Sequence, residues 1–369
     1  MNFKNDFDLF VAGKTGAFKG IKLETNGIIV KNLQNVKILK PNNEISVLRW
    51  DDDNECNVII GTVDQHVKVY DTEFKAYSTC IETKFGTGAI VGVSRCNGAI
   101  VTCSESGHMK MWKYRETEQT QIEVGGSVSC MKSVSKKPGV VATGGKQNDL
   151  KLWDLETKTK IFNARNVKKD MLELEVPIWV SDVQYIPDTE YQLATCTKYG
   201  QVRLYDTRAQ RRPVLDVQLP NQSLNTLVTC SNNNHIVTGS CTGFILSVDI
   251  RGKGKVLHSY KGAVGSIRQI ACNNNNPYIA SVGLDRHLRI HHLETRKLLH
   301  QKYLKARLNA VIMRATFSKE KQSEAANSGE EEVECINLED SDPEYDTLFD
   351  NMETVGDKDY CKRKKQKLS

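Results

Sequence analysis

The segment VVATGGKQNDLKLWD, Val140 to Asp154, decides the fold. A strand of small residues, VVATGG (Val140 to Gly145), leads into a five-residue strand, LKLWD (Leu150 to Asp154), that closes on a ring and an acid. The second strand recurs as VKVYD (Val67 to Asp71), MKMWK (Met109 to Lys113), VRLYD (Val202 to Asp206), ILSVD (Ile245 to Asp249) and LRIHH (Leu288 to His292). Successive copies start 42, 41, 52, 43 and 43 residues apart. A period of roughly 40 to 45 residues is that of one propeller blade of four strands.

Small-residue strands also precede the other copies, as in IIGT (Ile59 to Thr62), IVTGS (Ile236 to Ser240) and IASVG (Ile279 to Gly283). Each pair reads as the inner two strands of a blade, joined by a tight hairpin. In the five-residue strand Val67 and Val69, Leu150 and Leu152, or Leu288 and Ile290 point one way and the interposed Lys or Arg the other. That alternation is the mark of a half-buried strand. A lone blade cannot bury its faces, whereas blades packed radially share an apolar interior.

A seventh copy is concealed at the N-terminus. LFVAGKTGAFKGIKLE (Leu9 to Glu24) reads as two middle strands and GIIVKNL (Gly27 to Leu33) as an outer one, without an innermost partner. LNAVIMRA (Leu308 to Ala315) has the composition to supply it, which would close the ring by pairing the two ends of the domain. The fold class is therefore all-β: a seven-bladed WD-repeat β-propeller over residues 1–315, with an insertion at 163–183 between the fourth and fifth blades. Six blades with a separate N-terminal hairpin is the alternative. Among the six recurring five-residue strands the WD dipeptide itself survives only at Trp153 and Asp154.

No apolar run approaches the length of a membrane span, and MNFKNDFDLF lacks the apolar core of a signal peptide. A soluble, intracellular chain with no membrane partner is expected, as a monomer. Eleven cysteines include no CxxC pair and most fall in or beside strands, so reduced structural thiols are expected rather than zinc ligands or disulfides. The formal charge of +6 divides unevenly: residues 316–369 hold 15 acids and 8 bases, so the tail carries −7 and the propeller +13.

Basic residues gather in NARNVKKD (Asn163 to Asp170), DTRAQRRP (Asp206 to Pro213), DIRGKGK (Asp249 to Lys255) and TRKLLHQKYLKAR (Thr295 to Arg307). The first three flank strand ends where propeller loops surface, which would set them on or near one face as a positive field for phosphates. Arg208, Arg211 and Arg212 are the leading candidates, since arginine forks match phosphate oxygens. Arg165, Lys168 and Lys169 join them from the insertion, which continues through Met171, Leu172, Leu174, Val176, Ile178 and Trp179. A structured excursion on a repeat scaffold commonly forms a binding loop, with Trp179 its apolar anchor. Solvated loop charges and a Trp179 packed beneath its own blade are the plainer readings.

The tail, residues 316–369, is dense in acids and poor in apolar residues, so disorder is expected. CINLEDSDPE (Cys335 to Glu344) sets Ile336 and Leu338 before an acidic run, the pattern of a short strand that adds to the sheet edge of a small-ubiquitin-like modifier. Ser328 and Ser341 each precede an acid at the third following position and would suit an acid-directed kinase. The terminal KRKKQK, with Lys362, Arg363, Lys364, Lys365 and Lys367, reads as a nuclear-targeting or nucleic-acid patch. Attraction to the acidic stretch before it is the alternative.

Signals for catalysis are weak. GKT at Gly13 to Thr15 has Asp8 where a phosphate-cradling loop needs glycine, and GTGAIVG (Gly86 to Gly92) has the wrong spacing for a dinucleotide fingerprint. His287, His291 and His292 cluster without ligands or a nucleophile, and His291 takes the slot that Tyr70, Trp112, Trp153 and Tyr205 fill elsewhere. No enzyme and no cofactor is expected.

EVPIWVSDV (Glu175 to Val183), VRLYDTRAQRRPV (Val202 to Val214), SVGLDRHLRIH (Ser281 to His291) and LLHQKYLKARL (Leu298 to Leu308) together resemble the WD repeat-containing protein 74 family and its fungal counterpart. The likeness spans essentially the whole propeller, and YDTRAQRRPV is its most specific part. It implies a seven-bladed scaffold of the nucleus and nucleolus that assembles the large ribosomal subunit. Implied partners are precursor particles with immature ribosomal RNA, other assembly factors, ribosomal proteins, an AAA-type ATPase that releases the protein and, in animals, the nuclear exosome's helicase. The acidic part of the tail matches no fixed family pattern. A rival is a substrate receptor of a cullin ubiquitin ligase, because YDTR (Tyr205 to Arg208) and VDIR (Val248 to Arg251) approximate a WDxR adaptor-docking signature.

Overall fold

The computed structural model describes residues 7–24, 27–35, 39, 43–52, 54–113, 120–133, 139–169, 171–187, 189–230, 234–272 and 277–315. These form seven four-stranded antiparallel sheets, arranged as the blades of an all-β propeller. In the first blade β28 (Leu308–Met313) pairs with β1 (Leu9–Gly13), followed outward by β2 (Phe18–Glu24) and β3 (Gly27–Asn32). The other innermost strands are β4 (Ile45–Trp50), β8 (Ile90–Cys96), β12 (Ser127–Ser133), β16 (Val180–Tyr185), β20 (Leu224–Thr229) and β24 (Ile267–Cys272). Each of these neighbours the next, and β28 neighbours β4, so the circuit is complete.

The repeated pairs occupy the middle of each blade rather than its inner half. In the second blade β5 (Asn57–Thr62) and β6 (His66–Asp71) lie between β4 and the outer β7 (Ala76–Glu82). The innermost strand thus precedes the small-residue strand in sequence, and this corrects the assignment of the pair to the inner two positions. One interruption recurs along the innermost strands. The register slips between Ile45 and Val47, Ile90 and Gly92, Val128 and Cys130, Val180 and Asp182, Leu224 and Thr226, and Ile267 and Gln269. In β28 the equivalent slip leaves out Asn309. A bulge re-aims the extra side chain, and several of these side chains reach the next blade. Ser46 Oγ donates to Ile90 O at 2.5 Å, Ser181 Oγ to Leu224 O at 2.7 Å, and Asn225 Nδ2 to Ile267 O at 2.7 Å.

Seven apolar clusters fill the spaces between blades. Leu9, Val11, Ile21 and Leu23 meet Tyr278, Val282, Leu288 and Ile290 between the seventh blade and the first. Phe10, Phe18, Leu48, Ile60, Tyr70 and Ile312 fill the next space. The small residues of the second strand have a steric cause. A Cβ added to Gly144 would lie 2.7 Å from Val180 Cγ1 in the following blade, and one on Gly239 2.7 Å from Ile267 Cγ2.

The ring and the acid that end the third strand do separate jobs. Trp112 Nε1 donates to Thr102 Oγ1 at 2.8 Å and Trp153 Nε1 to Thr143 Oγ1 at 3.1 Å, tying the third strand to the second. His291, buried in the equivalent slot, pairs its Nε2 with Lys261 O at 3.0 Å and lies edge-on to Tyr260. The acid caps the turn to the outer strand: Asp71, Asp154, Asp206 and Asp249 each accept a main-chain N–H two residues on, at 2.8 to 3.0 Å. His292 Nδ1 does the same for Glu294 and Thr295. Ordering a turn through its own side chain in this way is a known role of Asp.

The cations interposed along the third strand are not uniformly half-buried. Arg203 is 1% exposed and Arg289 3%. Each sheet is sandwiched between two others, so both of its sides are interfaces. Arg203 faces Asp216, with Nε 3.5 Å from Oδ2, and Arg289 pairs with Asp285. Burial raises the carboxyl pKa of Asp216, and the Arg203 charge works against that rise. Among the described residues no cysteine is in a disulfide; burial pushes Cys103 and Cys196 up to about 12, which keeps them unreactive.

Candidate functional site

A four-stranded meander sorts its connections by end. Turns between second and third strands and crossings between blades share one end, here the connector end. Turns between first and second strands and between third and outer strands share the other, the hairpin end. The arginine-rich loop 207–214 joins β18 (Gln201–Asp206) to β19 (Leu215–Gln218) and leaves from the hairpin end. The insertion runs from β15 (Thr159–Asn163) to β16 and leaves from the connector end. The basic clusters therefore do not share one face as expected from sequence: Arg165, Lys168 and Lys169 start from the opposite end to Arg208 and Arg251.

The two segments nevertheless meet on the rim between the fourth and fifth blades. Arg165 N donates to Arg211 O at 2.8 Å, Arg211 Nε to Asn163 O at 2.8 Å, and Arg212 Nε to Asn166 O at 3.3 Å. Asp206 caps Arg208 N, and the Arg208 guanidinium lies 4.0 Å from the centroid of the Tyr191 ring. A guanidinium stacked on its face keeps its in-plane donors for other acceptors. A groove of about 450 Å³ opens here, lined by Lys160, Ile161, Thr207, Arg208, Gln210 and Arg211. Three cations around a shallow groove, two of them arginines with fixed stems, suit a phosphate.

Asn166 is the hub of this region and carries no signal in the sequence. Its Oδ1 accepts from Arg203 Nη1 at 3.3 Å and its Nδ2 donates to Val176 O at 2.6 Å. The second bond draws the two legs of the insertion together, so residues 167–169 and 171–175 project beyond a closed neck. Met171, Leu172 and Leu174 are exposed there at 101%, 77% and 60%, beside exposed Lys168 and Lys169. Trp179 lies below the neck, half-buried, with Lys146 Nζ 5.0 Å from its ring centroid and a bridge to Lys146. It packs against the preceding blade, and the exposed apolar surface of the insertion belongs to Met171, Leu172 and Leu174.

Elsewhere on the hairpin end, Arg251 is bound up with its own turn. It forks onto Asp249 through Nη2–Oδ2 at 2.7 Å and Nε–Oδ2 at 3.0 Å. The Arg251 hydrogen bonds hold the Asp249 carboxyl well down, at about 2. The Arg251 fork is thus engaged by its own turn, whereas the Arg208 guanidinium stacks on Tyr191, although both follow the capping acid by two residues. The central channel, about 1000 Å³, is lined by the innermost strands and carries both charge signs. Arg95 meets Asp51 at 2.6 Å and Lys132 meets Asp182 at 3.8 Å, each pair joining two blades.

Among the described residues no group of three or more His, Cys, Asp or Glu could hold a metal ion, and no helix is long and apolar enough to cross a membrane. Ser328, Ile336, Leu338, Ser341, Lys362, Arg363, Lys364, Lys365 and Lys367 lie outside the described residues.

Residues 254–292 match the family model described as WD domain, G-beta repeat. Over 358 residues the chain is 33% identical to WD repeat-containing protein 74 of Bos taurus, covering 94% of this chain and 90% of that protein. The Homo sapiens protein of the same name is 33% identical over 355 residues, with the same coverage. Ribosome biogenesis protein nsa1 of Schizosaccharomyces pombe is 27% identical over 331 residues, covering 80% of this chain and 82% of that protein.

Proposed function

The chain belongs to the WD repeat-containing protein 74 family, and we propose from that membership that it is a ribosome biogenesis factor. Its role is that of a non-catalytic scaffold on nuclear and nucleolar precursors of the large ribosomal subunit. The relatives' names support the biogenesis role, and the groove on the rim of the fifth blade supports contact with ribosomal RNA. There Arg208, Arg211 and Lys160 surround a cavity with no acid among its lining residues. Lys168, Lys169 and the exposed apolar tip of the insertion add a second contact, for an assembly factor or ribosomal protein. Removal by an AAA-type ATPase and, in animals, contact with the exosome helicase complete the proposal. The targeting role falls to the KRKKQK terminus.

The ligase-receptor alternative has less support. The relatives' names point to ribosome biogenesis, and Arg251, one of its two signature arginines, is forked onto Asp249. Replacing Arg208, Arg211 and Arg212 together with alanine tests the proposal: the variant should leave the large-subunit precursor fractions of a sucrose gradient. Co-sedimentation equal to the parent's would retire the groove as an attachment point. Cross-linking of the tagged chain in cells should yield both RNA adducts and assembly-factor peptides, whereas adaptor and cullin peptides would favour the rival.

A further inference from the structure

The connector end of blades five to seven carries apolar surface that the arginine groove does not account for. Tyr199, Phe244 and Val264 are 44%, 50% and 74% exposed. Tyr199 sits in the turn between β17 (Gln192–Thr197) and β18, and Phe244 in the turn between β21 (His235–Ser240) and β22 (Ile245–Asp249). Val264 lies in the crossing from β23 (Lys255–Tyr260) to β24. All three therefore emerge at the same end of consecutive blades.

Their turns are fastened to one another. The Tyr199 turn is closed by Leu219 N donating to Gly200 O at 2.7 Å, and Cys241 N donates to Ser223 O at 2.7 Å. Thr242 Oγ1 donates to Gln222 Oε1 at 2.9 Å. A Cβ on Gly243 would lie 3.0 Å from the oxygens of Ala263 and Gly265, so the Phe244 and Val264 backbones are in close approach. Val264 N donates to Asp285 Oδ2 at 3.4 Å. A surface built from mutually bonded tight turns loses little freedom when a partner settles on it.

The charge around this arc has one sign outward. Asp285 is turned inward onto Arg289, whereas Lys261 and Arg286 are exposed, and Arg286 Nη1 is steadied by Tyr303 OH at 3.1 Å. Large apolar groups at the centre with cations at the edge match the anatomy of a protein interface. The most exposed member, Val264, offers no face for a nucleobase to stack on. We infer that this arc docks an extended, acidic peptide segment of a protein partner, with its large apolar side chains against Tyr199, Phe244 and Val264 and its carboxylates toward Lys261 and Arg286. Ribosomal RNA on the rim and protein on the connector end would then occupy separate surfaces of one ring.

A random peptide library displayed on phage and panned on the full chain is the test. Enriched peptides should interleave large apolar residues with Asp or Glu. A selected peptide carrying a fluorophore should lose at least about tenfold in affinity with Phe244→Ala combined with Val264→Ser, in line with losing a central apolar contact. Lys261→Glu should weaken it by itself, while the Arg208, Arg211 and Arg212 alanine variant should bind it like the parent. These positions are exposed, and unchanged thermal melts would tie the loss to the surface. Enrichment of peptides without acids, or affinity indifferent to both variants, overturns the inference. A loss confined to a single-stranded RNA oligonucleotide would reassign the arc to nucleic acid.

Discussion

The side-chain amide of Asn309 donates to the main-chain oxygen of Ile45 at 3.1 Å, joining residues 264 positions apart in the chain. The same amide donates to Glu44 Oε1 at 2.9 Å. Asn309 is the bulged residue of β28, and Ser46, Ser181 and Asn225 make the equivalent bond to the next blade. One backbone irregularity is thereby reused as a clasp around the ring, and Asn309 applies it at the closure. Asn309→Ala removes two such bonds in a half-buried site, for an expected loss of about 1–3 kcal/mol. Chemical denaturation with the slope held common reads the change, and a midpoint equal to the parent's would mean the clasp contributes nothing.

The arginine groove predicts a salt signature. Each phosphate contact to a single strand contributes about 0.7 to the slope of log affinity against log salt. Losing Arg208, Arg211 and Arg212 should therefore flatten the slope by about 1.5–2 for a single-stranded RNA oligonucleotide. Arg251→Ala should change it little, because Asp249 already engages that guanidinium. Filter binding over a salt series decides between them, and equal effects would contradict the distinction.

Asn166→Ala should open the neck of the insertion without unfolding the ring. It removes the bond to Val176 O and leaves the buried Arg203 without its Asn166 acceptor, an expected loss of about 1–3 kcal/mol. Limited trypsin digestion is the sensitive readout, since Lys168 and Lys169 lie just past the neck. Cleavage there should accelerate several-fold while the propeller fragments persist. Cutting at the parental rate would show that Asn166 does not hold the loop.

His291 predicts an acid limb in the stability profile. Burial holds its imidazole below the usual histidine range, so the unfolded chain takes up a proton that the folded chain refuses. Stability from this ring is complete above the unfolded value of about 6.5 and declines as pH falls from there toward the folded value. His258 acts in the same direction, also through burial. His291→Phe should cost about 1 kcal/mol near neutrality through the lost bond to Lys261 O. It should also make the decline below about pH 6.5 shallower. An acid limb identical to the parent's would place the sensitivity elsewhere.

The architecture was legible because the third strand repeats two chemical necessities, a ring that ties strands together and an acid that caps a turn. The innermost strands share no such signature. Sequences as different as ISVLRW and LNTLVT face a polar channel, and the bulge breaks the alternation that would mark them. The spacing of 52 residues located the insertion. The contact between Asn166 and Arg203 depends on two blades meeting, however, and no local pattern records it. Arg203 looked like an outward cation because alternation assumes one wet side, which a sheet between two sheets does not have. Within the insertion the sequence offers Trp179 as the apolar anchor, but that ring packs against Lys146 and the exposed apolar positions are Met171, Leu172 and Leu174.

The pairing of β1 with β28 also constrains how the molecule is made. Synthesis proceeds from the N-terminus at about 5–20 residues per second, so roughly 15–60 s separate the emergence of the two partners. During that interval the first sheet has an open inner edge, and Leu9, Phe10 and Val11, all at 0% exposure in the finished ring, lack part of their cover. A nascent chain in that condition is exposed to premature association and to capture by holding chaperones. The step that ends its vulnerability is the arrival of its own final strand.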